Sequence, residues 1–371
     1  MRGFQAKGSV GLASPPDSAP PDPGADRAAS GTAGAETWGP GSRRIPPRPD
    51  RPARRRRWLW PLGLLAAIHV LVLGAGFFAP YNPARQFRDF PYAPPMAVHW
   101  RRGRLVVYPW LPVSEQYGPP QYQADRAQPL PLRFFVHGHL FGVRGGEVFL
   151  LGTDGLGRDE LSRLLYGGRL SLLAGLLGAA LALGLGLGLG GAAGLMGGWT
   201  DAAVMRGAEV FLALPWIYLL FAARAFLPLT LSAGAAFLLL IAILGLTGWG
   251  RPARLIRGVA RSARERDYVR AARGFGASRW YLLRRHIWPQ TYSVALTQAA
   301  LLAPQFILAE VALAFLGLGA APPTASWGTM LAGLQKLYVL ESYGWLFAPA
   351  VALVIVFALY DWLALTVGGG A

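Results

Sequence analysis

Asp267-Tyr-Val-Arg-Ala-Ala-Arg-Gly-Phe-Gly276, followed by Trp280-Tyr-Leu-Leu-Arg-Arg-His-Ile-Trp-Pro289, is an arginine-loaded, helix-forming island between long apolar segments. Charged side chains are expensive in hydrocarbon, so the island lies outside a bilayer while its flanks run into one. Ala271 and Ala272 are small enough to let a helix backbone approach a partner closely, and Gly274 and Gly276 permit a chain reversal that a β-carbon would hinder. Trp280, Leu283 and Ile287 then recur at helical spacing, and Pro289 stands at the edge of the next apolar segment. The stretch predicts two short helices meeting at a glycine corner, a rigid handle on the membrane segments that suits a partner protein that pulls.

The rest of the chain has a membrane composition. Of 371 residues 53% are hydrophobic and only 15% charged, too apolar a balance for an ordinary soluble domain. The apolar residues fall in blocks of about 20, the length that spans roughly 30 Å of hydrocarbon. Six such blocks run approximately over 58–79, 170–196, 207–228, 229–249, 293–317 and 344–367. Only Pro228 and its neighbours separate the third from the fourth, which predicts a tight hairpin there. The expected architecture is an all-α integral membrane fold of six transmembrane helices. Its parts are a cytoplasmic tail (1–57), a first helix (58–80), an extracytoplasmic insert (81–169), and a transmembrane domain (170–371) that carries the cytoplasmic loop 250–290.

Orientation follows from the basic residues, which are retained in the cytoplasm. Arg54, Arg55, Arg56 and Arg57 precede the first block and place the N-terminus inside; six crossings return the C-terminus to the same side. Loop 250–290 then falls in the cytoplasm with eleven Arg against Glu265 and Asp267, whereas 81–169 carries eleven Arg against seven acids. The net charge of +17 therefore reads as topology rather than as a nucleic-acid surface, and no zinc-finger or helix-turn-helix pattern accompanies it. The chain has no cysteine, which removes disulfides and thiolate metal sites.

Residues 1–50 are dense in Pro, Gly, Ala and Ser and cannot bury enough surface to offset ordering entropy, so a disordered tail is expected. Between 81 and 169, turn signals at 92–95 and 117–120 separate extended runs such as Arg104–Pro109 and Leu132–Val136, which predicts a small β-rich insert. His137 and His139 sit there without a third ligand type, and no metal is assigned. The two lysines, Lys7 and Lys336, close no Gly-x-x-x-x-Gly-Lys-Ser/Thr loop, and neither a His-Glu-x-x-His nor a Gly-x-Ser-x-Gly motif is present. The chain is expected not to be an enzyme or its own ATPase.

At 270–289 the residues resemble a known family. Arg-Ala-Ala-x-x-x-Gly at 270–276, with Pro289 after twelve intervening residues, is similar to the cytoplasmic Glu-Ala-Ala loop of binding-protein-dependent ABC importer permeases. Arg270 stands where that family usually has Glu, and Trp288 where it usually has Leu. Leu151-Gly-Thr-Asp-Gly-Leu-Gly-Arg-Asp159, with Ser162-Arg163 and Gly168-Arg169, resembles the signature of the dipeptide/oligopeptide/nickel group. Ala309-Glu-Val-Ala-Leu-Ala-Phe-Leu-Gly-Leu-Gly319 and Pro322-Pro-Thr-Ala-Ser-Trp-Gly328 resemble the C-type subunit of the same group. The resemblance implies a type I permease fold in a bacterial inner membrane and a coupling surface made of Arg270, Ala271, Ala272, Gly274, Gly276 and Pro289. It also implies as partners a second, homologous permease, two ATPase subunits that bind ATP and Mg, and an extracytoplasmic solute-binding protein. Peptides are the implied solutes, with nickel, glutathione and others carried by the same group. A membrane enzyme or an ATP-independent transporter are the rival readings; the latter usually shows inverted repeats, and none is evident.

Within the apolar blocks, Gly184, Gly186, Gly188 and Gly190 give two small faces suited to close helix packing, and Pro215 is expected to kink the third block as a pivot. Arg224, Glu310 and Asp361 are ionisable and should face protein or water. Arg224 and Glu310 are candidates for the substrate path, and Glu310 equally for a hydrogen bond at a helix bend.

Overall fold

The computed structural model describes residues 59–113, 120–136, 138–213, 215, 218–219, 221–222, 233–319 and 323–368. The expected tail, the hairpin at Pro228, Arg224 and His137 lie outside these residues. Helices α1 (Leu59–Leu73) and α2 (Ala75–Phe78) come first. Among the described residues seven short strands follow: β1 (His99–Arg101), β2 (Arg104–Val107), β3 (Trp110–Val113), β4 (Gln121–Ala124), β5 (Leu130–Pro131), β6 (Arg133–Val136) and β7 (His139–Gly142). The helical remainder comprises α3 (Glu160–Met196), α4 (Gly198–Ala213), α5 (Ala233–Gly248), α6 (Gly250–Arg264), α7 (Asp267–Gly274), α8 (Arg279–Leu282), α9 (Trp288–Phe315), α10 (Trp327–Ala332), α11 (Leu337–Ser342) and α12 (Ala348–Gly368).

Among the described residues, three helical stretches are long and apolar enough to cross a membrane: Glu160–Met196, Arg279–Phe315 and Gly344–Val367. A fourth arises if α5 and α6, bent by 44° at their junction, form one span. Helix α1 is apolar but only 15 residues long.

Helix α3 organises the rest. At 37 residues it measures about 55 Å at 1.5 Å per residue, well beyond a hydrocarbon core, so one end projects from it. It starts where the Asp159 carboxylate accepts the Ser162 N–H at 2.8 Å, an N-cap that satisfies a donor the helix cannot. The preceding turn is built by the same stretch of sequence: Asp154 pairs with Arg158 at 2.7 Å and with Arg163 at 3.6 Å. Thr153 accepts the Ala93 N–H at 2.8 Å and donates to the Phe90 carbonyl. Asp159 is 1% exposed, and burial pushes its carboxyl up to about 7 although the Ser162 hydrogen bonds pull the other way.

The glycines of α3 explain its main neighbour. A Cβ at Gly186 would lie 2.8 Å from the Pro252 Cβ, and one at Gly194 would lie 2.6 Å from the Ala260 Cβ. Gly190 faces the Ala253 backbone in the same way. Residues 186, 190 and 194, one turn apart, thus form a groove in which the small-residue face of α6 lies. Gly184 and Gly188 meet nothing within 4 Å, so one of the two expected small faces is used within the chain. The main core lies where α3, α5, α9, α10 and α12 meet, around Leu172, Leu244, Ile307, Trp327, Val356 and Leu359.

The strands occupy the stretch before α3. β1, β2 and β5 make an antiparallel sheet of three, and β3–β4 and β6–β7 are antiparallel pairs. The segment is packed by an aromatic cluster of Tyr81, Phe87 and Phe149. It is tied to the later helices by Trp345, which donates to the Thr153 carbonyl at 3.1 Å, and by the Tyr92–Tyr343 stack at 4.2 Å.

Candidate functional site

The arginine-rich island begins as a packed helix. Arg251, Arg254, Arg257, Arg261 and Arg264 recur every three or four residues, which gathers them on one side of α6 and leaves Pro252, Ala253, Ile256, Ala260 and Ala263 buried on the other. Within the expected loop 250–290, residues 250–264 are helical because that apolar stripe fits the α3 groove. Arg257 also clamps α4 by a two-pronged pair with Asp201, one prong at 2.6 Å, which holds the Asp201 carboxyl below the usual carboxylate range.

Past Arg264 the chain forms the corner. Helix α7 runs from Asp267 to Gly274, and Gly276 then takes φ +83°, a left-handed conformation that glycine adopts without Cβ strain. Ser278 caps α8, its hydroxyl accepting the Tyr281 N–H at 3.2 Å. The second arm is not a separate short helix. α8 passes through a widened turn, Leu283–Ile287, straight into α9, so Arg279–Phe315 is one 37-residue helical stretch with Pro289 in the first turn of α9. Pro289, which has no N–H to donate, directly follows the widened turn, where the helical hydrogen-bond ladder is already interrupted.

A small core fixes the corner to the bundle: Leu195 of α3, Ala260 and Ala263 of α6, Val269 of α7, and Leu282, Leu283 and Ile287, with Ala272 packed against them. Ala271, Arg270, Gly274 and Gly276 are exposed, with no side chain or backbone within 4 Å of the place a Cβ would occupy on either glycine. Phe275, at the apex, is 93% exposed. Beside the apex a cavity of about 570 Å³ is bounded by Arg264, Glu265, Arg270, Arg273 and Leu282, among others. The site is a rigidly mounted knob with a bare glycine corner, an apolar tip and a strongly basic flank.

The other sequence candidates are placed elsewhere. Glu310 is 2% exposed and lies beside Ser171 of α3 and Ser326, the N-cap of α10, where three helices meet, and its Oε2 is buried without a hydrogen-bond partner. Pro215 sits beyond the end of α4 rather than inside a described helix, and its carbonyl accepts the Tyr218 N–H at 3.0 Å. Asp361 is exposed on α12. A further cavity of about 210 Å³ has Phe211, Leu244, Thr247, Arg251, Gln305 and Phe306 in its wall. Neither Arg251 nor Gln305 stood out in the sequence. Arg251 follows Trp249-Gly250 at the border where α5 bends into α6, and that apolar-to-basic switch is the signal for it.

Known proteins share these elements. Residues 184–367 match the family described as binding-protein-dependent transport system inner membrane component. The chain is similar to the dipeptide transport system permease protein DppC of Bacillus subtilis (strain 168), at 36% identity over 54% of this chain and 60% of that one. It is also similar to the di/tripeptide transport system permease protein DppC of Pseudomonas aeruginosa (strain UCBPP-PA14), at 34% identity over 277 residues, 74% of each chain. It spans 66% of the length of a Brucella suis protein named as a peptide permease. A chain of the MetNI methionine ABC transporter in an inward-facing form is similar at a TM-score of 0.40 and 19% identity, over 54% of this chain and 92% of that one, a likeness too slight to carry an argument. With a 34%-identical relative covered over 74% of its length, the chain belongs to the binding-protein-dependent transport system inner membrane component family.

Proposed function

We propose that this chain is a permease subunit of an ATP-driven importer, forming half of a translocation path and taking its motion from cytoplasmic ATPase subunits. The observation that carries the reading is the corner at Gly276: a bare, basic knob fixed by its own small core to α3 and α6 and continuous with α9. A push on such a knob reaches the membrane helices as rigid-body movement instead of being lost in loop flexing. The 210 Å³ cavity between α4, α5 and α9 is the part of the path this subunit contributes, with Arg251, Thr247 and Gln305 as its polar lining.

The assembly proposed is this chain with a second, homologous permease, two ATPase subunits holding ATP and Mg, and an extracytoplasmic binding protein. It sits in a bacterial inner membrane with six crossings, both termini inside and the β-containing insert outside. Arg270, Ala271, Ala272, Gly274, Gly276 and Pro289 are the coupling residues. Relatives named for dipeptides and di/tripeptides support peptides as the solute class, with nickel, glutathione or another small solute as the alternative. Uptake of labelled dipeptides by proteoliposomes containing the purified assembly, with ATP inside the ATPase-facing compartment, tests this. ATP-dependent accumulation is expected; accumulation without ATP would refute the coupling.

A further inference from the structure

The β6–β7 hairpin presents large aromatic side chains to the outside. Phe134 is 54% and Phe135 75% exposed, and Arg133 beside them is exposed as well. Phe135 also takes φ +57°, a left-handed backbone that a bulky residue rarely adopts, so the fold holds an aromatic ring outward against a local conformational preference. Position explains what the ring is held against. Its centroid lies 6.1 Å from that of Phe77, which lies 5.3 Å from Phe78, and α2 packs against β7. Phe77 and Phe78 end the apolar run 59–78, the point at which a membrane segment leaves hydrocarbon. Aromatic rings and arginine at that depth are what a bilayer interface accommodates, rings at the headgroup level and guanidinium toward phosphate.

We propose that the β6–β7 hairpin is a membrane-surface anchor, with Phe134 and Phe135 entering the headgroup–acyl boundary of the leaflet on the insert's side and Arg133 meeting lipid phosphate. The hairpin is continuous through Phe77 with a segment that itself ends at the bilayer edge, which favours lipid over a protein partner. The anchor fixes the insert against the membrane plane. It rests on α1–α2 being a membrane segment, and it stands whether or not the corner at Gly276 binds an ATPase.

The absence of cysteine makes the test direct. Single cysteines are introduced as Phe134→Cys, Phe135→Cys and, on exposed β4, Gln123→Cys, each in the full chain. Each variant is nitroxide-labelled and reconstituted with its copurifying subunits in vesicles of phosphatidylethanolamine and phosphatidylglycerol. Relaxation by oxygen, which concentrates in lipid, is compared with relaxation by a water-soluble nickel chelate. At 134 and 135 oxygen is expected to dominate, and at 123 the chelate. Chelate dominance at both 134 and 135 overturns the anchor. So does exclusion of both agents there, which marks a covering protein, and so does oxygen dominance at all three positions, which would mean the insert is immersed as a whole.

Discussion

Substitution of Gly276 separates two roles that glycine could have. At φ +83° an ordinary L residue costs about 1–2 kcal/mol, a factor of roughly 5–30 in the population of the corner. Nothing lies within 4 Å of the missing Cβ, so no steric term adds to this in the chain by itself. Backbone cost therefore ranks Gly276→Val above Gly276→Ala, and both above Gly276→Asp, because Asp and Asn adopt the left-handed region more readily. Were glycine present only to make the turn, the Asp variant would be the mildest of the three. If a partner surface closes over the bare corner, the Asp carboxylate must be desolvated against it and becomes the most damaging. All three variants are expected to insert in membranes at parental levels, since the strain is local and small beside a typical total of about 5–15 kcal/mol. Uptake of a labelled dipeptide and retention of the ATPase subunit on the tagged permease are the assays. The Asp variant is expected to lose both, and parental uptake by that variant would refute the docking argument.

Three further outcomes follow from packing and charge. Gly194→Val places side-chain atoms against Ala260 and the Arg257 carbonyl, already 2.6 and 2.7 Å from a bare Cβ, and should cost roughly 1–3 kcal/mol in detergent thermal unfolding, whereas Gly188→Val should leave the midpoint unchanged. Asp159, with its carboxyl pushed up to about 7 by burial, holds its proton in the fold to higher pH than the unfolded chain does at about 3.9; its contribution to stability therefore declines as pH rises from about 4 to about 7. Asp159→Asn keeps a capping oxygen and should flatten that part of the Tm–pH curve; an unchanged slope contradicts the assignment. Asp201 is the opposite case. Arg257 lowers its pKa, so the pair stabilises above about pH 4 and is lost as pH falls through the depressed value, and Asp201→Asn should cost roughly 1 kcal/mol at neutral pH and nothing in acid.

Much of the site was legible in the sequence because its constraints are local. Gly276 and Pro289 each have one strongly preferred backbone role, and their spacing with Trp280, Leu283 and Ile287 left a corner followed by a helix as the natural arrangement. The helix over 250–264 was less visible although its signal was present: arginines every three or four residues with Pro252, Ala253, Ile256, Ala260 and Ala263 between them. The same arginines satisfy the topology rule and frame an apolar stripe, so their number alone does not single out the helix. The choice between the two glycine faces of α3 was not legible, since Gly184 and Gly186 are equivalent until it is known where α6 lies. The surroundings of Glu310 were not legible for the same reason: Ser171, which lies beside it, is far from it in sequence.

The central claim, that the corner is the surface through which ATPase motion reaches the membrane helices, is tested most directly by affinity purification of the tagged chain in mild detergent, intact and with residues 267–288 replaced by a flexible linker. The account predicts that a P-loop ATPase is recovered with the intact chain and not with the replaced one, both being present in the membrane at equal levels. Equal recovery from both, or no ATPase even after gentle crosslinking of intact membranes, would contradict it.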